Sequence, residues 1–164
     1  MTHSHFIIKE INMKKLAIAF ATAMALVATT AGALELGVNG SYDYGSPANR
    51  PGAGITIGQK YDKFGVTAGF DRYQKGTDQN KWSLVGSYDV YSVGAATFAV
   101  TAGAAYLDNY GNSSDGYAGL VGTGVSYSIA KNVALTADYR YQFGQSRVNS
   151  FDGSTVSTGV KFSF

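Results

Sequence analysis

Nine ionisable side chains, Glu35, Asp43, Lys60, Asp71, Lys81, Asp89, Asp138, Arg140 and Lys161, recur on one face of short segments whose other face is largely apolar. Acids and bases mixed on such a face can pair as ions. Acid–base catalysis would instead need a side chain that titrates near neutrality within reach of a substrate. No histidine follows His5 and the chain has no cysteine, so metal sites of imidazole or thiolate, Ser-His and Cys-His nucleophiles and disulfides are all excluded from residue 6 onward. An active site made from Asp71, Asp89 and Asp138 alone is the weaker reading, because these carboxylates are more simply structural charges. Gly122-Thr123-Gly124 is not a phosphate loop, since no helix follows to present its N-terminus. Neither an enzyme nor a cofactor is expected.

The elements that carry these charges have a period of two. Eight segments alternate in this way: 34–44, 53–61, 64–73, 81–91, 96–106, 117–129, 133–143 and 153–164. In the seventh, Val133, Leu135, Ala137, Tyr139, Tyr141 and Phe143 oppose Thr136, Asp138, Arg140 and Gln142. The sixth is the least regular, as Leu120 falls on the polar face. Connections alternate too. Asp62-Lys63, Ser92-Val93-Gly94 and Ala130-Lys131-Asn132 make tight reversals, with Asn132 suited to a positive φ. Longer polar connections run over 45–52, 74–80, 107–116 and 144–152.

The N-terminus has a plan of its own. Met13-Lys14-Lys15, the apolar run from Leu16 to Val27 and Ala31-Gly32-Ala33 form a basic, an apolar and a small-residue region, as in a secretory signal. The apolar run is shorter than the roughly 20 residues of a spanning helix. Residues 1–33 are therefore expected to be an upstream extension and a cleaved signal (the signal proper 13–33), and residues 34–164 one β-domain. Of 13 basic and 11 acidic residues, Lys9, Lys14, Lys15 and Glu10 leave with the signal, so the remainder is neutral with ten of each. A neutral domain carries no electrostatic argument for nucleic acid.

Alternation alone fits a soluble barrel or sandwich with its apolar face inward. The content of the second face discriminates. It combines the nine charges with glycine, serine and threonine, which suits a narrow polar interior, while aromatic residues near the strand ends flank an aliphatic band, as in membrane barrels. Eight strands leave an interior that side chains can fill. Asp71 with Lys81, and Glu35 with Lys161, are expected as ion pairs inside it.

The signal, the eight amphipathic segments and the final Val160-Lys161-Phe162-Ser163-Phe164 resemble the small outer-membrane barrels of Gram-negative bacteria, the family that includes the protein A membrane domain, protein X and the opacity-type surface proteins. The resemblance implies an all-β, eight-stranded antiparallel up-and-down transmembrane barrel, with short periplasmic turns and longer extracellular loops. It also implies that Val160, Phe162 and Phe164 are the assembly signal read by the barrel-assembly machinery, after passage across the periplasm with chaperones. No peptidoglycan-binding segment follows Phe164, so wall anchoring is not expected. Outer-membrane lipid and lipopolysaccharide are the expected surroundings, and a host or surface ligand is a further partner to consider. In the loops, Arg50, Lys75 and Arg147 could meet anionic groups beside Tyr110 and Phe151, whereas Asp78, Asp108, Asp115 and Asp152 could attract divalent ions. The expected role is that of an outer-membrane surface protein with a structural or interaction function. The alternatives are a narrow pore for small solutes or ions and a soluble periplasmic ligand-binding barrel.

Overall fold

A computed structural model of the chain describes residues 32–45, 49–74, 79–110, 114–145 and 152–164. Residues 1–31 of the expected extension and signal, together with Lys75, Asp78, Arg147 and Phe151, lie outside these residues, as do the side chains of Tyr110 and Asp115, whereas Ala33, expected as the last residue of the signal, opens the first strand.

Alternating apolar and small polar residues, rich in Val, Ile, Thr and Tyr, favour pleated strands over helices. Eight form: β1 (Ala33–Gly45), β2 (Arg50–Tyr61), β3 (Phe64–Tyr73), β4 (Gln79–Val93), β5 (Ala96–Tyr110), β6 (Ser114–Ala130), β7 (Val133–Gln145) and β8 (Gly153–Ser163). Each is antiparallel to its neighbours, and β1 also pairs with β8, from Glu35 opposite Ser163 to Gly45 opposite Gly153, to close the barrel. Leu34 and Phe164 exchange backbone hydrogen bonds of 3.2 and 2.8 Å at the end of this seam. Closure gives every strand two neighbours and leaves no open edge, the condition for a sheet to cross hydrocarbon. Even β3, with 10 residues, meets the roughly 9–11 residues that a tilted spanning strand needs.

The tight reversals all lie at one end of the barrel. Tyr61 pairs with Phe64 around Asp62-Lys63, Val93 with Ala96 around Gly94-Ala95, and Ala130 with Val133 around Lys131-Asn132. Two of these differ from the sequence reading. Val93 belongs to β4 rather than to its turn. Ala130 belongs to β6, where a register shift next to Ile129 adds one residue. Positive φ falls on Asp62 and Gly94 among the tight turns, not on Asn132, because the bulge beside Ile129 supplies the local twist that a left-handed turn residue would otherwise provide. A second shift, between Asp89 and Tyr91, leaves both Val90 and Tyr91 facing outward.

At the opposite end the strands run further than the alternation indicates. Arg50 to Gly52 pair with Ser41 to Asp43, and Gln79 and Asn80 with Arg72 and Tyr73. The connections there are correspondingly shorter than expected.

The faces are assigned by burial. Ile55 is 61% exposed and Val38 54% exposed on the outside, whereas Lys81 at 3% and Asp43 at 4% are enclosed. That distribution is the inverse of a soluble barrel. Exposed apolar side chains cover the outer wall, with rings grouped towards its two ends. Tyr42–Tyr44, Phe70–Trp82 and Tyr106–Tyr117 contact one another at 4.7, 4.5 and 5.1 Å in the loop half, and Phe64–Tyr88 and Tyr91–Phe98 at 4.8 and 6.4 Å in the turn half. Tyr139 and Ser154 satisfy each other on this wall through a 2.8 Å hydrogen bond between hydroxyls.

Candidate functional site

The enclosed lumen gathers ten charged side chains. Inward positions alternate with outward ones along each strand, so Glu35, Asp43, Asp71, Asp89 and Asp138 share the interior with Arg50, Lys60, Lys81, Arg140 and Lys161. Acids and bases balance. Glycines make room for them: a Cβ at Gly54 would lie 2.3 Å from Asp71 Oδ1, and one at Gly124 would lie 2.5 Å from Asp138 Oδ1. In an eight-stranded interior, an inward charge needs a small neighbour on the adjacent strand.

At the turn end, Lys161 Nζ meets Glu35 Oε1 at 2.9 Å across the β1–β8 seam. Lys60 on β2 reaches past Gly65 of β3 to Asp89 on β4, at 2.5 Å. Arg140 Nη2 lies 3.5 Å from Asp138 Oδ1 on the same strand. The side chains of these three pairs are part-exposed, with Lys60 at 26% and Lys161 at 24%.

Deeper inside, Lys81 is opposite Asp71 in register, yet its ammonium group turns to Asp43 on β1, at 3.6 Å. The same nitrogen donates to the Tyr73 hydroxyl at 3.2 Å and to Thr155 Oγ1 at 3.1 Å, and lies 5.5 Å from the centre of the Tyr73 ring. Thr155 in turn donates to Asp43. Asp71 instead accepts a 2.8 Å hydrogen bond from Asn39 Nδ2. The expected Asp71–Lys81 pair is thus replaced by one that crosses the lumen, because a long side chain in a narrow barrel can reach strands that are not its neighbours.

Towards the loop end the lumen is filled. Among the described residues, Arg50, Tyr73, Leu107 and Leu120 are the largest fully buried side chains, accompanied by Gln79 and Gln142. Leu120 packs with Val85 and Ala105, and Leu107 with Ala118. Leu120's inward position, irregular in the sequence, belongs to this apolar layer. Between this layer and the turn end lies a cavity of about 140 Å³, lined by Asn39, Ser41, Asp71, Ser83, Thr101 and the mouth charges among others. It has room for several waters.

Arg50 needs correction as a loop contact. It is the first residue of β2, opposite Asp43, and only 2% exposed; its guanidinium lies inside the barrel because pairing of β1 and β2 continues to that level. Arg72 was missed by the sequence reading and is exposed on the outer face of β3, two residues beyond Phe70. Its alternation with Phe70 was the available sign. Asp152 accepts a 3.3 Å hydrogen bond from the Gly144 amide, and Asp108 faces outward opposite Asn80. Phe162 and Phe164 project outward at the seam end, 41% and 70% exposed, and Val160 lies between Val38 and Leu135.

Comparison with known proteins matches residues 10–162 to the model of a porin subfamily. No curated protein sequence matches. Among solved structures, the N-terminal β-barrel domain of OprF from Pseudomonas aeruginosa is similar with a TM-score of 0.65 and 22% identity, over 82% of this chain and all (100%) of that one. Neisserial surface protein A has a TM-score of 0.59 and 19% identity, over 81% and 97% of the two chains. The Yersinia pestis outer membrane protein Ail in a nanodisc has a TM-score of 0.54 and 13% identity, over 82% and 100%. These likenesses are of fold.

Proposed function

The chain belongs to the porin subfamily as a small outer-membrane β-barrel, and from that premise we propose that it serves as a surface protein with a structural or interaction role rather than as an open pore. The observation that carries this reading is the filled loop end of the lumen, where Arg50, Tyr73, Leu107 and Leu120 are fully buried. A solute entering at the turn end would have to displace a charged and apolar layer. Residues 1–33 act in this reading as an upstream extension and a signal removed on export. Val160, Phe162 and Phe164 act as the assembly signal.

Contact with lipopolysaccharide falls in the first instance to Arg72. It stands on the outer face just beyond the Phe70–Trp82 ring pair, the level at which an interfacial belt meets headgroups, and a guanidinium suits phosphate. Lys75 and Arg147 remain candidates for the same anionic surroundings. A narrow pore is the second reading, favoured by the family match and by the polar cavity.

Two measurements test the proposal. Planar bilayers containing the purified protein should show no steady openings, and reproducible openings altered by Asp138→Asn or Arg140→Gln would establish the pore instead. In intact cells, protease should cut only in the connections at the loop end. Release of the protein by carbonate or osmotic shock would refute the membrane location.

A further inference from the structure

We propose that the lumen holds a binding site for a single alkali cation, built from Asp71, Asn39 and Ser41. Four of the five inward acids have an ammonium or guanidinium partner within 4 Å: Glu35 has Lys161, Asp43 has Lys81, Asp89 has Lys60 and Asp138 has Arg140. Asp71 differs. It is 8% exposed, and among the described residues its carboxylate accepts a hydrogen bond from the neutral amide of Asn39. Lys81, the nearest base in register, is held by Asp43, Tyr73 and Thr155.

Two buried oxygens without donors belong to residues that line the same cavity as this carboxylate. Because Asn39 gives its Nδ2 to Asp71, its Oδ1 remains an acceptor, and that atom is buried without a protein partner. Ser41, two residues along the same face of β1, is 8% exposed and its buried Oγ also has no partner. All three residues line the same cavity. The fold crowds them together. Asn39 and Asp71 flank Gly54 from either side, and Ser41 lies against Gly52, where a Cβ would come within 2.9 Å of its Oγ.

This donor set selects the charge of its ligand. Buried oxygens left unpaired carry a desolvation cost that a hard cation relieves. A divalent ion takes more oxygen ligands and, in protein cages, more than one carboxylate, so a lone Asp71 matches a single positive charge. Sodium or potassium, retaining part of its water shell in the cavity, fits the site. Entry is from the turn end, past Lys60–Asp89 and Lys161–Glu35.

Amide spectra of the folded barrel in nanodiscs test the assignment, with choline chloride replaced stepwise by sodium or potassium chloride at constant ionic strength. Amides of residues 39, 41, 52–54 and 71 should shift and saturate with the alkali ion. Asp71→Asn should remove the saturable part, and Ser41→Ala should weaken the apparent affinity several-fold. Equal shifts in choline, shifts that never saturate, or a response that survives in Asp71→Asn would overturn the proposal. Should Asp71→Asn fail to fold, Ser41→Ala decides by itself: unchanged affinity and an unchanged pattern of shifts would sink the site.

Discussion

Replacing Lys161 by Met removes one partner of the ion pair that straddles the closing seam, leaving Glu35 enclosed without its cation. The 2.9 Å contact is an ion pair at the distance of a charge-assisted hydrogen bond, with side chains 24% and 13% exposed. Such bonds contribute about 1.5–3 kcal/mol, below the 3–5 kcal/mol or so that is lost when a fully buried pair is broken, because water at the mouth still reaches Glu35. Since about 1.4 kcal/mol is a tenfold change in an equilibrium constant, the folding equilibrium should fall roughly ten- to a hundredfold. Trp82 is the single tryptophan of the chain, so urea unfolding in lipid vesicles can be followed by its fluorescence. Adding Glu35→Leu to Lys161→Met should recover most of the loss, as an apolar pair of similar volume is often nearly neutral in place of an ionic one. If the two substitutions were simply additive, the pair would contribute nothing specific and the reasoning would fail.

Four other outcomes follow from the same geometry. Val38→Arg, at a position 54% exposed on the outer wall, should cost about 2–4 kcal/mol if it lies near the bilayer midplane, whereas Val38→Leu should be close to neutral; equal behaviour of the two in vesicle unfolding would contradict lipid contact. Spin labels at Leu135 and Asp138 should report opposite surroundings, with dissolved oxygen reaching the label at 135 far more readily; the reverse result would invert the barrel's faces. Leu120→Ala removes a side chain 2% exposed beside Val85 and Ala105 and should destabilise by about 2–5 kcal/mol, read as a lower unfolding midpoint. Gly54→Ala would bring a Cβ to 2.3 Å from Asp71 Oδ1 and should cost about 1–3 kcal/mol through overpacking; a thermal midpoint equal to that of the parent would mean that the carboxylate is free to move aside.

Much of this architecture is legible in the order of residues. Period-two alternation depends only on the pleat, which sends successive side chains to opposite faces, so the strands, their number and the side on which Asp138 or Leu135 falls can be read locally. Turn chemistry is local as well, and Asp62-Lys63 reverses the chain where the sequence indicates. The direction of the apolar face needed more, namely the charges and small residues opposite it. Strand ends at the loop side were not legible, since Arg50 and Gln79 join their strands only because paired neighbours extend to meet them.

Partnership within the lumen was decided by closure. Alternation places Lys81 inside but does not say that it faces Asp43 three strands away rather than Asp71 beside it. Nor does it say that Arg50, Tyr73, Leu107 and Leu120 fill one level of the interior. A strand's faces follow from its own backbone, whereas distances across a barrel follow from how many strands close it and how far their register is staggered. Those are properties of the whole sheet, and no single segment contains them.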